Sequence, residues 1–144
     1  EKIAENAVSV AYKDFAHSPS KLKATVSAVK RQYPDRKLVA CMELHTFSSL
    51  KKEFLPHYHE CMEEADEAIV YFSPDVVEHK RLEPITSEQV AAAFGTPNVT
   101  VYTNSDEITN LLRNKDWNKT NLLLMSSGNF HGVDLDAFAK ELIN

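Results

Sequence analysis

Five short apolar runs recur along the chain, at Ala7–Tyr12, Lys37–Met42, Glu67–Phe72, Asn98–Tyr102 and Asn121–Met125. Each is five or six residues long and rich in Val, Ile, Leu and Tyr. That length suits strands buried on both faces and is too short for helices. Between the runs, apolar residues fall at helical spacing. Ser18-Pro19 reads as a cap and first residue of a helix with Leu22, Val26 and Val29 on one stripe. Glu53–Ala65 predicts a second helix, with Leu55, Tyr58, Met62 and Ala65 turned inward. Ser87–Phe94 predicts a third, stopped by Gly95 and Pro97. Ser105 opens a fourth, with Asp106 and Glu107 in its first turn and Ile108, Leu111 and Leu112 inward. Asp134–Leu142 predicts the last, on Leu135, Phe138 and Leu142, while Ser73–Pro84 reads as an irregular surface excursion. Strand and helix in alternation predict an α/β fold in three layers, a mostly parallel sheet with helices on both faces.

The chain of 144 residues, 43% of them hydrophobic, has the size of one domain, and no boundary divides it. Sixteen Lys and Arg stand against 21 Asp and Glu, a net charge of −5. This mild acidity argues against nucleic acid or a membrane surface as a partner. Two cysteines, Cys41 and Cys61, are too few for a disulfide framework. A reduced, cytoplasmic compartment is the expectation. No apolar run approaches the roughly 20 residues of a membrane span, and no signal-peptide pattern opens the chain. The three glycines match neither GxxxxGK[ST] nor GxGxxG. A self-sufficient nucleotide enzyme of the common kinds is therefore excluded.

In open α/β sheets, ligands bind beyond the carboxyl ends of the strands. That rule selects Lys13–Ser20, Glu43–Leu50, Ser73–Arg81 and Ser126–Gly132. In the first, Asp14 and His17 lie three apart between a strand and a helix N-terminus, where free N–H groups favour anions. The pair suits a ribose hydroxyl and a phosphate or carboxylate; it equally suits a turn Asp and a half-buried His. The second segment holds Glu43, His45, Thr46, Ser48 and Ser49. These form either a site or a loop that satisfies its own backbone with hydroxyls. The last segment carries two of the three glycines, with Ser126, Asn129, Phe130 and His131. That is more glycine than a plain turn needs and points to a binding loop. Cys41 and Cys61, set in a strand and a helix among apolar neighbours, read as buried free thiols. His57 and His59 fall on different helix faces and make no metal site, and His79, Lys80 and Arg81 read as a solvated turn.

These segments resemble the C-terminal domain of the Mur ligases, which build the peptide of bacterial peptidoglycan. Asp14-Phe15-Ala16-His17-Ser18-Pro19-Ser20 is similar to the family's D-[FY]-[AG]-H-H-P-T, and Lys23-Ala24-Thr25 continues the likeness. Met42-Glu43-Leu44-His45-Thr46-Phe47-Ser48 resembles F-Q-P-H-x-Y-S of the UDP-N-acetylmuramate–L-alanine ligases, and Ala65-Asp66-Glu67 the A-D-x that opens the next strand. Leu124-Met125-Ser126-Ser127-Gly128-Asn129-Phe130 resembles M-S-N-G-x-F of the murein peptide ligases, which recycle a tripeptide by joining it to UDP-N-acetylmuramate. The likeness spans essentially the whole chain. Ser18 replaces the family's second His, no Arg follows His45 at Ser48-Ser49-Leu50, and the murein peptide ligases' E-P-R-S keeps only its acid, as Glu43.

The resemblance implies a dinucleotide-binding-like sheet and one domain, residues 1–144, of a larger cytoplasmic enzyme. That enzyme would use ATP and Mg2+, both held mainly by a central domain, to join UDP-N-acetylmuramate to an amino acid or tripeptide. This domain would bring in the incoming group and by itself would be inactive. Asp14 would contact the nucleotide near its ribose, and His17 the phosphates or the incoming substrate as the catalytic residue. His45, Ser126, Asn129 and Phe130 would bind substrate, and no residue would hold a metal. The last segment favours the murein peptide ligases. The L-alanine ligases and a non-catalytic binding module derived from the domain are the alternatives.

Overall fold

The computed structural model describes residues 1–15 and 18–144. In chain order the elements are β1 (Lys2–Glu5), β2 (Val10–Asp14), α1 (Pro19–Gln32), β3 (Lys37–Glu43), β4 (Glu67–Tyr71), α2 (Pro74–His79), α3 (Ser87–Phe94), β5 (Val99–Tyr102), α4 (Ser105–Arg113), β6 (Thr120–Met125) and α5 (Leu135–Leu142). The strands form one sheet in the order β1-β2-β6-β3-β4-β5. β1 is antiparallel to β2, and the other pairs are parallel. The α/β three-layer, mostly parallel architecture is as expected.

Alternation along the strands builds two cores. Leu38, Ala40 and Met42 of β3 join Leu123 and Met125 of β6 beneath Leu22, Val26 and Val29 of α1 and Val90 and Phe94 of α3. Val39 and Cys41 join Leu122 and Leu124 on the opposite face, under Ile108 and Leu112 of α4 and Phe138 of α5. From β2 to β5 the chain steps toward one edge with its helices on the first face. It then returns through α4 on the second face and inserts β6 between β2 and β3. A right-handed crossover requires this change of face when the direction reverses. β2 and β6 therefore send their following segments to opposite faces, which opens a crevice at their carboxyl ends.

Three expectations are corrected. The first strand begins at Val10 rather than Ala7, and β1 precedes it. Asn6 Oδ1 accepts the Val8 and Ser9 N–H groups and makes Asn6–Ser9 a turn. Glu53–Ala65 is not a continuous helix: only Leu55–Tyr58 forms a 3-10 turn. Pro56 supplies no N–H, and Glu60 is left-handed with φ 61°. Successive i→i−3 bonds, such as Cys61 N–H to Tyr58 O at 3.0 Å, carry the rest. Packing compensates, as Tyr58 stacks 5.2 Å from Phe94 and Glu60 N–H reaches Phe94 O at 2.9 Å. Cys61 thus lies in a turn rather than a helix, but is buried as expected. Finally, Ser73–Pro84 contains α2, capped by Ser73 Oγ accepting from Val76 N–H, with Pro74 at the first turn. That is the Ser-Pro signal of α1 repeated. No helix among the described residues is long and apolar enough to cross a membrane.

Candidate functional site

The alternation that fills the second core also aims two polar residues at its upper rim. Glu43 follows Cys41 by two positions on β3, and Ser126 follows Leu124 by two just past β6, so both face the same side. Both are buried, Glu43 at 4% and Ser126 at 3% exposure. A buried carboxylate needs hydrogen-bond donors. Ser126 Oγ donates to Glu43 Oε1, and Phe130 N–H donates to the same oxygen at 2.9 Å. Ser126 Oγ in turn accepts from Gly128 N–H at 2.7 Å. Glu43 therefore closes the loop after β6 onto the end of β3.

At one point of this loop a side chain would be crowded. A Cβ on Gly128 would stand 3.1 Å from Glu43 Oε1 and 3.2 Å from His45 Cδ2. Beyond it the backbone is left-handed at Phe130, His131 and Gly132, with φ of 55°, 63° and 85°. Such a run costs energy at Phe130 and His131 and persists only where its surroundings impose it. Here the Glu43 bond, Ser105 Oγ donating to Phe130 O at 2.6 Å, and Asn129 Oδ1 accepting from Gly132 N–H at 2.8 Å impose it.

The loop forms one wall of an open cleft of about 540 Å³ between the ends of β2 and β6, lined also by Lys13, Asp14 and the start of α5. Among the described residues its charge leans acidic: Asp14, Asp134 and Asp136 accompany Lys13, and Lys13 Nζ is paired with Asp136 Oδ1 at 2.6 Å. The bond to Asp136 holds the Lys13 amine above its ordinary value.

Asp14, Ser126 and Asn129 are thus brought to one cleft. Asp14 also anchors it through its backbone carbonyl, which accepts Ser126 N–H at 3.0 Å. His17 lies outside the described residues. His45 stands beyond Gly128 from the cleft, 41% exposed, with Nδ1 3.7 Å from Glu43 Oε2. Phe130, expected to bind substrate, has its ring in the second core, 4% exposed, 6.2 Å from Tyr71 and nearly parallel to it, so it packs the loop. Burial first, and then the Glu43 charge, push the Tyr71 hydroxyl up from its ordinary value.

Sequence reasoning placed Glu43 in a candidate segment but assigned it no role. The available signal was an acid ending the apolar run Leu38–Met42, where six consecutive residues through Glu43 are buried. Among the described residues, no three of His, Cys, Asp and Glu converge as a metal-holding group.

Residues 1–128 match the family described as Mur ligase, glutamate ligase domain. The UDP-N-acetylmuramate–L-alanine ligase of Lactobacillus acidophilus is 31% identical over 90% of the chain, which spans about 28% of that enzyme's length. In fold, a murein peptide ligase from Psychrobacter arcticus superposes on 99% of the chain, and on 28% of its own, with a TM-score of 0.71 at 20% identity. A bifunctional folylpolyglutamate synthase/dihydrofolate synthase from Yersinia pestis, solved with AMPPNP and a Mn ion, covers 91% of the chain and 28% of its own at a TM-score of 0.57 and 16% identity. Taken with the sheet order and the cleft at its carboxyl ends, the match over residues 1–128 places the chain in the Mur ligase family, as its glutamate ligase domain.

Proposed function

We propose that this chain is the C-terminal domain of a larger cytoplasmic ligase that joins an incoming amine to the carboxylate of UDP-N-acetylmuramate at the expense of ATP. The observation that carries this reading is the cleft between β2 and β6, where Asp14 and Ser126 meet at the topological switch point. Its acidic lining attracts an ammonium group, and the incoming nucleophile arrives as one. Activation of the carboxylate by ATP and magnesium belongs to a central domain outside this chain. The part left to these residues is to bind, orient and enclose the amine when the two domains close. Asp14 positions the nucleotide, and His17 meets phosphate or substrate oxygens. His45, Ser126 and Asn129 contact the incoming group.

The curated relative named above acts on L-alanine, and Phe130 is committed to the core. L-Alanine is therefore the favoured incoming substrate. The free tripeptide remains a second reading, because an open cleft of about 540 Å³ has room for a longer ligand. The deciding experiment is a steady-state panel on the full-length ligase with ATP, UDP-N-acetylmuramate and either L-alanine or the tripeptide. A higher kcat/KM for L-alanine supports the favoured reading, and a higher value for the tripeptide reverses it. Absence of ligation with any amine overturns both. Asp14→Ala should raise the KM for ATP by roughly tenfold, the scale of one lost charge-assisted hydrogen bond. Unchanged ATP kinetics would remove Asp14 from the site.

A further inference from the structure

Glu43 uses its two carboxylate oxygens for two different tasks. Oε1 receives Ser126 Oγ and Phe130 N–H and so fixes the loop that walls the cleft. Oε2 faces His45 Nδ1 at 3.7 Å, a charge contact longer than a hydrogen bond. A carboxylate beside Nδ1 favours the proton on that nitrogen, which leaves Nε2 as an acceptor. Gly128 packs against both partners, since a Cβ there would crowd Glu43 Oε1 and the His45 ring alike. Loop, acid and imidazole are therefore packed against one another. We infer that Glu43 is a positioning residue for the incoming substrate: it shapes the Ser126–Phe130 wall and holds His45 in the Nδ1–H form, with Nε2 turned to account as acceptor for an N–H donor of that substrate. This rests on the ligase reading above, and His45 is the residue that would touch the substrate.

The test has two arms. The first is nitrogen-15 NMR of the histidine rings in this chain, at a pH where His45 is neutral. The wild type should show His45 protonated on Nδ1. Glu43→Gln should shift it toward the Nε2–H form that free imidazole prefers, and Gly128→Ala should perturb the same resonances by displacing the pair. The second arm is kinetic, in the full-length ligase. Glu43→Gln should raise the KM for the incoming amine about fivefold or more while leaving the KM for ATP within about twofold, a split that general loss of fold does not produce. Should Glu43→Gln fail to fold, Gly128→Ala is read in both arms with the same expectations. A wild-type His45 protonated on Nε2, a spectrum unmoved in the variants, or equal changes in both KM values overturns the inference. If the wild type ligates nothing, the ligase reading falls, and the NMR arm alone decides whether Glu43 sets the His45 tautomer.

Discussion

The two ends of the sheet each carry a hollow with a solvated ion pair, such as Lys13–Asp136 at the carboxyl ends, but only the carboxyl ends add a buried charge met without a cation. At the amino ends, a cleft of about 760 Å³ is lined by Asp35, Lys37, Asp66, Glu67, Lys115 and Asp116, among others. There, acid meets base directly. Lys30 Nζ lies 2.7 Å from Asp66 Oδ2, and Lys115 Nζ lies 2.6 Å from Glu67 Oε2, with all four side chains between 23% and 41% exposed. At the carboxyl ends, the smaller cleft has behind it a carboxylate that is almost wholly buried and is met by a hydroxyl and a backbone N–H instead of a cation. The larger hollow is a solvated seam of ion pairs. The smaller one has a main chain bent into a shape that only its partners sustain. What distinguishes a built site here is the way its charges are satisfied, and size does not reveal it.

Substitutions at the two ends should therefore differ sharply. The largest loss is expected for Glu43→Ala, which strands the Ser126 hydroxyl and the Phe130 N–H in a buried place. The cost should be about 3 kcal/mol, or roughly 10 °C in Tm, read by urea and thermal unfolding. A loss below about 1 kcal/mol would show that Glu43 does not hold the loop. Next comes a paired test on the glycines. Gly132→Ala adds a methyl where nothing lies within 4 Å but keeps φ at 85°, so it should cost about 1 kcal/mol of backbone strain alone. Gly128→Ala, without that strain but with a contact of 3.1 Å to Glu43, should instead disturb the site more than the stability. Equal effects of the two on His45 and on Tm would erase the distinction.

At the amino end the expected changes are smaller and belong to solvent. Burial alone would raise the Asp66 carboxyl, but the Lys30 bond, the Leu38 N–H and the Lys30 and Lys37 charges outweigh it and hold it below 3.8. A depressed acid contributes stability that is present above its unfolded value and is lost as pH falls through its folded value. Wild type should thus exceed Asp66→Asn in stability above pH 3.8, with the difference shrinking as the pH is lowered past it. A gap that stays constant into acid would contradict the ion pair. Smallest of all, Lys115→Ala should cost less than about 1 kcal/mol, and that cost should fade in high salt. A salt-insensitive loss would mean that packing of the Lys115 stem, not charge, is what was removed.

Much of the architecture was legible because burial on both faces writes itself as short apolar runs. Lys37–Met42, Glu67–Phe72, Asn98–Tyr102 and Asn121–Met125 each fall on an observed strand to within a residue at each end. Ser87–Phe94 was legible to the residue, since a capping box at Thr86 and a left-handed Gly95 bracket it. β1 was not, because Lys2–Glu5 buries only Ile3 and Ala4 and leaves too little pattern to read. Glu53–Ala65 misled because its spacing of three and four also serves a chain of 3-10 and single turns, and tertiary contact with Phe94 chooses between them. The segments of the site followed from the rule about strand ends. Their partnership did not: that Glu43 serves Ser126 depends on β6 lying beside β3, a neighbourhood set by topology. Phe130 looked available from its place in a loop, whereas its left-handed backbone turns the ring into the core.

The place of β6 also bears on how the molecule comes into being. β2 and β3 precede β6 in the sequence, yet neither pairs with the other, and the strand that joins them, Thr120–Met125, follows every other strand of the sheet. Until it pairs, the chain holds a hairpin and a three-stranded fragment with a seam of unpaired strand edges between them. Pairings this distant in sequence are slow to form, and the waiting fragment presents sticky edges in the meantime. The loop after β6 and its clasp on Glu43 therefore depend on closure of the centre of the sheet, which brings β6 beside β3.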